Sequence, residues 1–117
     1  MIRDEIAAEL PVEVTAVFVN DPTVNIYGDG WNLYLACPWE LKGPAVATSW
    51  ASDNMTEELK VLVGASLTSV EGNQTLDDPI FRFGRIALTV QPGDLDDPWT
   101  LQLHNLRGMT GGRFVGS

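Results

Sequence analysis

Carboxylates are the chemically active side chains that occur in groups along this chain. Two short segments concentrate aspartates directly before a proline: Asp77, Asp78, Asp94, Asp96 and Asp97. Such groups suit cation binding, hydrolysis by paired carboxylates, or attraction of a basic partner. The second segment lacks the central glycine and the terminal glutamate of a calcium loop, and Asp-Pro is a common turn opener. We therefore predict no metal site and assign these aspartates to the binding of a basic protein.

Few residues of this chain could take part in nucleophilic catalysis. His104 is the only histidine and Cys37 the only cysteine, so neither a disulfide within the chain nor a multi-cysteine zinc site can form. No nucleophile-elbow motif lies near His104, whose position is that of a partly exposed residue at a strand end. Cys37 continues an apolar alternation and is expected to be a small buried hydrophobic side chain. The sequence thus predicts a protein that is not an enzyme and has no cofactor, with an enzyme pairing His104 and a carboxylate as the third hypothesis.

Aromatic residues supply the other candidates for binding. Trp31 and Trp99 begin alternating apolar segments and are expected in the core, whereas Trp39 follows Pro38 after a strand has ended and is expected on the surface. Tyr34 lies opposite the apolar face of its strand and is free to contact a partner. Together with the five aspartates, the residues predicted to bind a partner are Tyr34, Trp39 and Glu40.

The charge balance limits the classes of partner. Seven Lys and Arg residues against sixteen acids give a net charge of −9. This surface repels nucleic acid and anionic lipid and attracts basic proteins, although acids also serve solubility alone. The first ten residues carry acids where a signal peptide is apolar, and no apolar run is long enough to span a membrane. With a single cysteine, these features predict a cytoplasmic protein without nucleic-acid or membrane partners.

Period-two alternation and turn residues predict a mainly β chain with one helix. A turn at Gly28-Asp29-Gly30 opens the most regular strand, in which apolar residues occupy every second position from Trp31 to Cys37. Strands are predicted at residues 12–19, 24–27, 31–37, 45–50, 66–71, 79–83, 86–91 and 99–104.

The helix is predicted between an N-cap at Asn54 and a closing Gly64, with Glu57 as capping-box partner. Its buried face is read from the apolar residues at helical spacing: Met55, Leu59, Leu62 and Val63.

The second half of the chain repeats the plan of the first. Residues 14–17 correspond to 67–70, 24–28 to 80–84, and 31–35 to 86–90. The chain is therefore read as one domain, 1–117, with a first β unit (1–50), a helix (54–64), a second β unit (65–104) and a glycine-rich tail (105–117) holding an edge strand. The predicted fold is α+β: two pseudo-repeated three-stranded antiparallel units in a curved sheet or small open barrel, with the helix of about 54–63 packed on one face. Chance resemblance between hairpins is the alternative to a true duplication.

Three segments carry a family resemblance: GDGWNLYLACPWEL, LKVLVGASLTSV and DDPWTLQL. They resemble an uncharacterised group of small bacterial proteins with the pattern G-[DG]-G-W-x-L-x-L-x-x-P-W-[RE]-L, over most of residues 24–104. Members of such groups are often encoded near polymorphic toxins, so the resemblance implies an immunity or other protein-binding role. It implies no catalytic residues.

Two functions of different classes follow from these observations. The leading hypothesis is a non-enzymatic acidic protein-binding module, an immunity-type protein that binds and neutralises a basic toxin. The alternative is a homo-oligomeric structural or regulatory module, such as a homodimer that pairs edge strands.

Overall fold

The computed structural model describes residues 10–20, 23–71, 79–91 and 99–103, and the backbone of 113–115. These residues contain a one-turn helix, α1 (Met55–Glu58), continued by a 3-10 helix (Leu59–Leu62). The described strands are β1 (Val12–Glu13), β2 (Ala16–Asn20), β3 (Thr23–Gly28), β4 (Trp31–Leu35), β5 (Trp39–Gly43), β6 (Val46–Ser49), β7 (Ser66–Leu67), β8 (Ser69–Glu71), β9 (Ile80–Phe83), β10 (Ile86–Val90), β11 (Trp99–Leu103) and β12 (Arg113–Val115). No helix in the described part of the chain has the length and apolar character that crossing a membrane requires.

The strands form two five-stranded antiparallel sheets and one short ladder. Sheet I has the order β12-β11-β4-β3-β2, sheet II has the order β6-β5-β10-β9-β8, and β1 pairs with β7. The mainly β character with one short helix is confirmed. Where the sequence suggested a single curved sheet or small open barrel, no ladder joins sheets I and II within the described ranges. Each sheet instead turns one apolar face towards a common core, which is the arrangement that alternating strands need.

The two apolar faces meet in one hydrophobic core. Inward residues of β3, β4 and β11 are buried, as are those of β5, β9 and β10. The rings of Phe81 in sheet II and Trp99 in sheet I lie 5.5 Å apart between centroids at an angle of 78°. Such edge-to-face pairs contribute about 0.5–1.5 kcal/mol beyond their buried area, so this contact helps to join the sheets.

Each sheet combines strands from both halves of the chain. Sheet I contains the meander β2–β4 and receives β11 beside β4, with Trp99 opposite Leu35. Sheet II contains the meander β8–β10 and receives β5 beside β10, with Trp39 opposite Val90. The hairpins β5–β6 and β11–β12 are therefore exchanged between the halves.

The helical segment covers the edge strands β2 and β6 and differs in detail from its prediction. Met55, Leu59 and Leu62 are buried as expected, but Val63 is 47% exposed because the 3-10 turn ends at Leu62. The predicted capping box is wrong, because the Asn54 side chain makes no capping hydrogen bond and Glu57 pairs with Lys60 at 2.9 Å.

The predicted closure of the helix is confirmed. Gly64 has φ +90°, a left-handed conformation that suits glycine after a helix. From this position its backbone N–H donates to Val14 O at 2.9 Å, and Val14 N–H donates to Ala65 O at 2.8 Å. The end of the helical segment is thereby tied to the beginning of the chain beside the β1–β7 ladder.

A close crossing at Gly28 holds the N-terminal strand against sheet I. The indole Nε1 of Trp31 donates to the carbonyl oxygen of Glu13 at 2.8 Å. A Cβ atom at Gly28 would overlap both that oxygen and the Trp31 Nε1. Glycine is thus required here for close approach, since the backbone of β1 passes where any side chain would stand.

Replacing Gly28 by alanine should therefore destabilise the fold more than a glycine substitution in a turn. We expect Gly28→Ala to lower the free energy of unfolding by about 3 kcal/mol or more, because the methyl group displaces Glu13 and breaks the indole hydrogen bond. Gly84→Ala is the control, since its Cβ meets nothing within 4 Å and only the φ of +67° is strained, which costs about 1–2 kcal/mol. Urea denaturation measures both, and equal losses would contradict the crossing as the cause.

Candidate functional site

The predicted position of Trp39 is wrong. Its side chain is fully buried as the first residue of β5, opposite Val90. Pro38 separates β4 from β5 without ending the sheet structure, so the chain continues into sheet II. Trp39 and Leu41 then point inwards at a period of two, and Trp39 cannot contact a partner.

The other predicted binding residues lie on different surfaces. Tyr34 is half-buried on the outer face of sheet I, and Glu40 lies on the outer face of sheet II, so the core separates them. Their positions are fixed by the pleat, because each alternates with buried neighbours in its own strand. The five aspartates and His104 lie outside the described residues.

Both aspartate-bearing segments are attached to the same end of sheet II. The first lies between Glu71 and Pro79, and the second follows Gln91. The backbone N–H of Val90 donates to Pro79 O at 3.3 Å, so the described residues that flank the two segments are neighbours across β9 and β10.

Glu40 stands at this same end of sheet II. Its carboxylate accepts a hydrogen bond from Gln91 Nε2 at 3.2 Å. The backbone N–H of Gln91 donates in turn to Pro38 O at 2.8 Å, which fixes the residue that precedes the second aspartate segment. We call this region, defined by Glu40, Glu71, Pro79 and Gln91, the acidic end.

The outer face of sheet II has paired charges. Arg82 Nε lies 2.7 Å from Glu71 Oε2, and Lys42 Nζ lies 3.9 Å from Glu40 Oε2. Exposed pairs of this kind contribute about 0–1 kcal/mol each, so they matter more for local charge than for stability. Glu40 and Glu71 are therefore each matched by a cation on this outer face.

The outer face of sheet I is different, because aromatic and amide side chains predominate there, and the one charged residue in the described strands of this sheet is Arg113 of β12, which pairs with Gln102. Strands β2, β3, β4 and β11 contain no Asp, Glu, Lys, Arg or His. We call its outward residues the amide–aromatic face: Phe18, Asn25, Tyr27, Asn32, Tyr34, Thr100 and Gln102. Phe18 is 57% exposed and Tyr27 is 39% exposed, which is unusual for large apolar rings.

Two shallow depressions lie side by side on this face. One, of about 360 Å³, includes Phe18 and Tyr27, and the other, of about 230 Å³, includes Tyr34 and Gln102. Asn25 and Asn32 line both, so the depressions are continuous across the strands.

A third depression, of about 370 Å³, lies where β5 and β6 meet α1, and Glu40 and Glu58 line it. Thr48 Oγ1 donates to Glu58 Oε1 at 2.8 Å, and Ser52 Oγ donates to the same oxygen. These hydroxyls, Ser52 first, lower the pKa of Glu58 below its ordinary value of 4.5. Through Glu58, these contacts connect the segment before α1 to β6, which is a structural role. The described residues contain no group of three side chains that could hold a metal ion.

Cys37 is buried, as predicted for a small hydrophobic side chain. Burial raises the pKa of its thiol above 9.0, and a hydrogen bond with the Gln91 backbone offsets this only in part. A protonated, enclosed thiol is a poor nucleophile, so the structure gives Cys37 a packing role.

One sequence signal that marks the start of each exchanged hairpin was missed in the predictions. Pro-Trp-x-Leu occurs twice, at residues 38–41 and 98–101. The two indoles occupy equivalent places in the two sheets, and both Nε1 atoms are buried without a hydrogen-bond acceptor among the described residues. The repeated motif would have predicted a buried Trp39.

Comparison of the chain with protein-family models, with curated proteins and with solved structures finds no match. A function is therefore inferred from the surfaces described above.

The tryptophans provide a matched test of the hydrogen bond at the crossing. Trp31→Phe leaves the Glu13 carbonyl without its donor, whereas Trp39→Phe removes an indole N–H that has no acceptor among the described residues. Both variants lose similar volume, so Trp31→Phe should be the less stable by about 1–2 kcal/mol. Thermal and urea unfolding compare them, and a larger loss for Trp39→Phe would contradict the role given to this bond.

The Glu58 contacts predict a pH dependence. Ser52→Ala should raise the pKa of Glu58 towards 4.5, because it removes the stronger of the two hydroxyl donors. A carboxylate with a lowered folded pKa stabilises the protein above its unfolded pKa, and this contribution is lost as the pH falls through the folded pKa. The variant should therefore be less stable than the parent near neutral pH, and the difference should shrink below pH 4.5.

Titration of the Glu58 carboxyl carbon by NMR measures the shift directly. Thr56→Ala, at an exposed residue of α1, is the control and should leave the titration unchanged. An unchanged Glu58 titration in Ser52→Ala would refute the assigned cause.

Proposed function

We propose that this chain is a non-enzymatic acidic protein-binding module of the immunity type, which binds a basic toxin and neutralises it. The observation that carries the proposal is the acidic end, where the two aspartate-bearing segments attach beside Glu40. Asp77, Asp78, Asp94, Asp96 and Asp97 are the proposed contact residues, together with Glu40. Trp39 is withdrawn from the set because it is buried, and Tyr34 belongs to the opposite face.

Electrostatic steering and charge complementarity favour a basic partner. The chain has a net charge of −9, and Lys42 and Arg82 are already paired with Glu40 and Glu71. A group of aspartates attracts a basic surface and speeds its encounter, while complementary charge suppresses wrong partners. We place this action in the cytoplasm, consistent with a single, buried thiol.

We further propose that the two halves derive from one duplicated unit. Thr15 donates from its backbone N–H to Tyr27 O at 2.9 Å, and Thr68 donates in the same way to Arg82 O at 2.8 Å. The Oγ1 atoms of both threonines repeat these bonds, at 3.4 Å and 3.0 Å. The exchanged hairpins, each beginning with a buried tryptophan, also correspond.

The two proposed repeats differ in the lengths of two connections between strands, and these differences support the proposed function. Residues 21–22 connect β2 to β3, but residues 72–79 connect the equivalent strands β8 and β9. Residues 36–38 connect β4 to β5, but residues 91–98 connect β10 to β11. The two connections lengthened in the second half are those that contain the aspartates, and added surface loops are where binding functions usually arise.

Neutralising the second aspartate segment tests the proposal. A tagged protein first captures its partner from host lysate at low salt, and capture should weaken at high salt. With the purified partner, changing Asp94, Asp96 and Asp97 to asparagine should slow association about tenfold and flatten its salt dependence. The control removes the same number of charges elsewhere, through Asp29→Asn, Asp53→Asn and Glu57→Gln.

Stopped-flow association kinetics distinguish the outcomes. If both triple variants slow association equally, net charge alone is responsible and the acidic end has no special role. If neither has an effect, the acidic end is excluded from the contact.

The second candidate function is a homo-oligomeric module, favoured by one observation. Strand β2 of sheet I contains no charged residue and carries the exposed ring of Phe18, so two copies can stack their aromatic faces there without like-charge repulsion. Analytical ultracentrifugation of the purified protein tests it, because this candidate requires a dimer without any second protein.

A further inference from the structure

We infer that the depression where β5 and β6 meet α1 is a binding site for one basic side chain of a partner protein, which pairs with the Glu58 carboxylate. The depression has a volume of about 370 Å³ and is lined mainly by polar residues. Glu40 belongs both to this lining and to the acidic end, so the two surfaces are continuous. The inference rests on the proposed function only for the source of the basic side chain.

Two hydroxyl groups hold the Glu58 carboxylate in position. Thr48 Oγ1, from β6, donates to Oε1 at 2.8 Å, and Ser52 Oγ donates to the same atom. A carboxylate offers about four acceptor sites, two on each oxygen, so these bonds occupy Oε1 and leave Oε2. Oε2 has no hydrogen-bond partner among the described residues. This second oxygen is oriented before a ligand arrives, which reduces the entropy lost on binding.

The charges around the depression select a ligand with one positive charge. Among its described lining residues, the charged ones are Glu40, Lys42 and Glu58. Lys42 Nζ lies 3.9 Å from Glu40 Oε2, so these two charges offset each other. Glu58 has no ion-pair partner within the described ranges. Two carboxylates and one ammonium leave a net charge of −1, which a monocation neutralises.

A basic side chain fits this lining better than a metal ion does. The described residues contain no group of three side chains that could hold a metal ion. A Lys or Arg side chain needs only one carboxylate, with which its N–H groups form charge-assisted hydrogen bonds. Ala47 and Ala51 also line the depression, and their small side chains leave room for the aliphatic part of the ligand.

The neighbouring carboxylate on α1 is already in use. Glu57 Oε1 lies 2.9 Å from Lys60 Nζ, and Glu57 does not line the depression. Glu58 is therefore the carboxylate of α1 that is placed to receive a partner's cation, and Glu57 provides a matched control.

The test is a titration of the full chain with three tetrapeptides in about 10 mM salt, where charges act over about 30 Å. The probes are tetraarginine, tetralysine and tetracitrulline, each acetylated and amidated, since citrulline has the shape of arginine without its charge. We expect a cationic probe to shift the backbone NMR signals of Thr48, Ser52 and Glu58 in a saturable manner, and tetracitrulline to leave them unchanged. The tighter cationic probe identifies the side chain as arginine or lysine.

Two variants remove the site in different ways. Glu58→Gln keeps a carbonyl oxygen for Thr48 and Ser52 but removes the anionic acceptor, and should weaken the cationic probe about tenfold. Ala47→Leu leaves every charge in place and fills the depression, and should weaken it to a similar extent. The control, Glu57→Gln, removes a charge from the same helical turn and should change the affinity less than about twofold. Circular dichroism checks that each variant is folded.

Three results would overturn the inference. One is binding of tetracitrulline as tight as that of tetraarginine, because recognition would then not involve charge. Another is an equal loss in Glu58→Gln and Glu57→Gln, which would make net charge alone responsible. The third is the lack of a saturable shift at Thr48 and Ser52 with either cationic probe at about 10 mM, a concentration at which even millimolar affinities are visible.

These results are distinguishable from failure of the proposed function. The acidic end is tested by the variant at Asp94, Asp96 and Asp97, whereas the peptide titration is read at Thr48 and Ser52. Loss of the peptide site would leave the aspartate kinetics unchanged, and an inactive acidic end would leave the tetrapeptide shifts in place.

Discussion

The fold depends on the exchange of two hairpins between the halves of the chain. The meander β2–β4 has an apolar face but too few strands to cover the opposite meander, and the same holds for β8–β10. By passing β5 to sheet II and β11 to sheet I, the chain widens both apolar faces and brings a tryptophan into each. Trp39 and Trp99 are the largest of the fully buried side chains, so each exchanged hairpin begins with a strong anchor.

The same exchange separates two kinds of surface. Among its described strands, sheet I carries one charged residue, Arg113 in the edge strand β12, whereas sheet II carries Glu40 with Lys42 and Glu71 with Arg82. The outer face of sheet I therefore presents mainly rings and amides, and that of sheet II presents ion pairs.

Local patterns predicted the elements well and their assembly less well. The alternation from Trp31 to Leu35 predicted β4 and its buried face, and Gly64 predicted the end of the helical segment, because both signals act within a few residues. The destination of β5 depends on pairing between Trp39 and Val90, far apart in sequence, which no local pattern encodes. The sequence predicted correctly that Tyr34 points outwards. That Tyr34 and Glu40 lie on opposite outer faces follows only from the order of strands in the two sheets, which local patterns do not give.

The exchange also has a kinetic consequence. The hairpins β3–β4 and β9–β10 close over two-residue turns and can form early, but β4 lacks its neighbour until residues 99–103 arrive. Pairing strands so distant in sequence carries a large loop-closure entropy before any contact compensates for it, and such topologies fold slowly. We therefore expect the half of the chain that is made first to keep β4 unpaired on one side, with part of its apolar surface uncovered, until residues 99–103 are available.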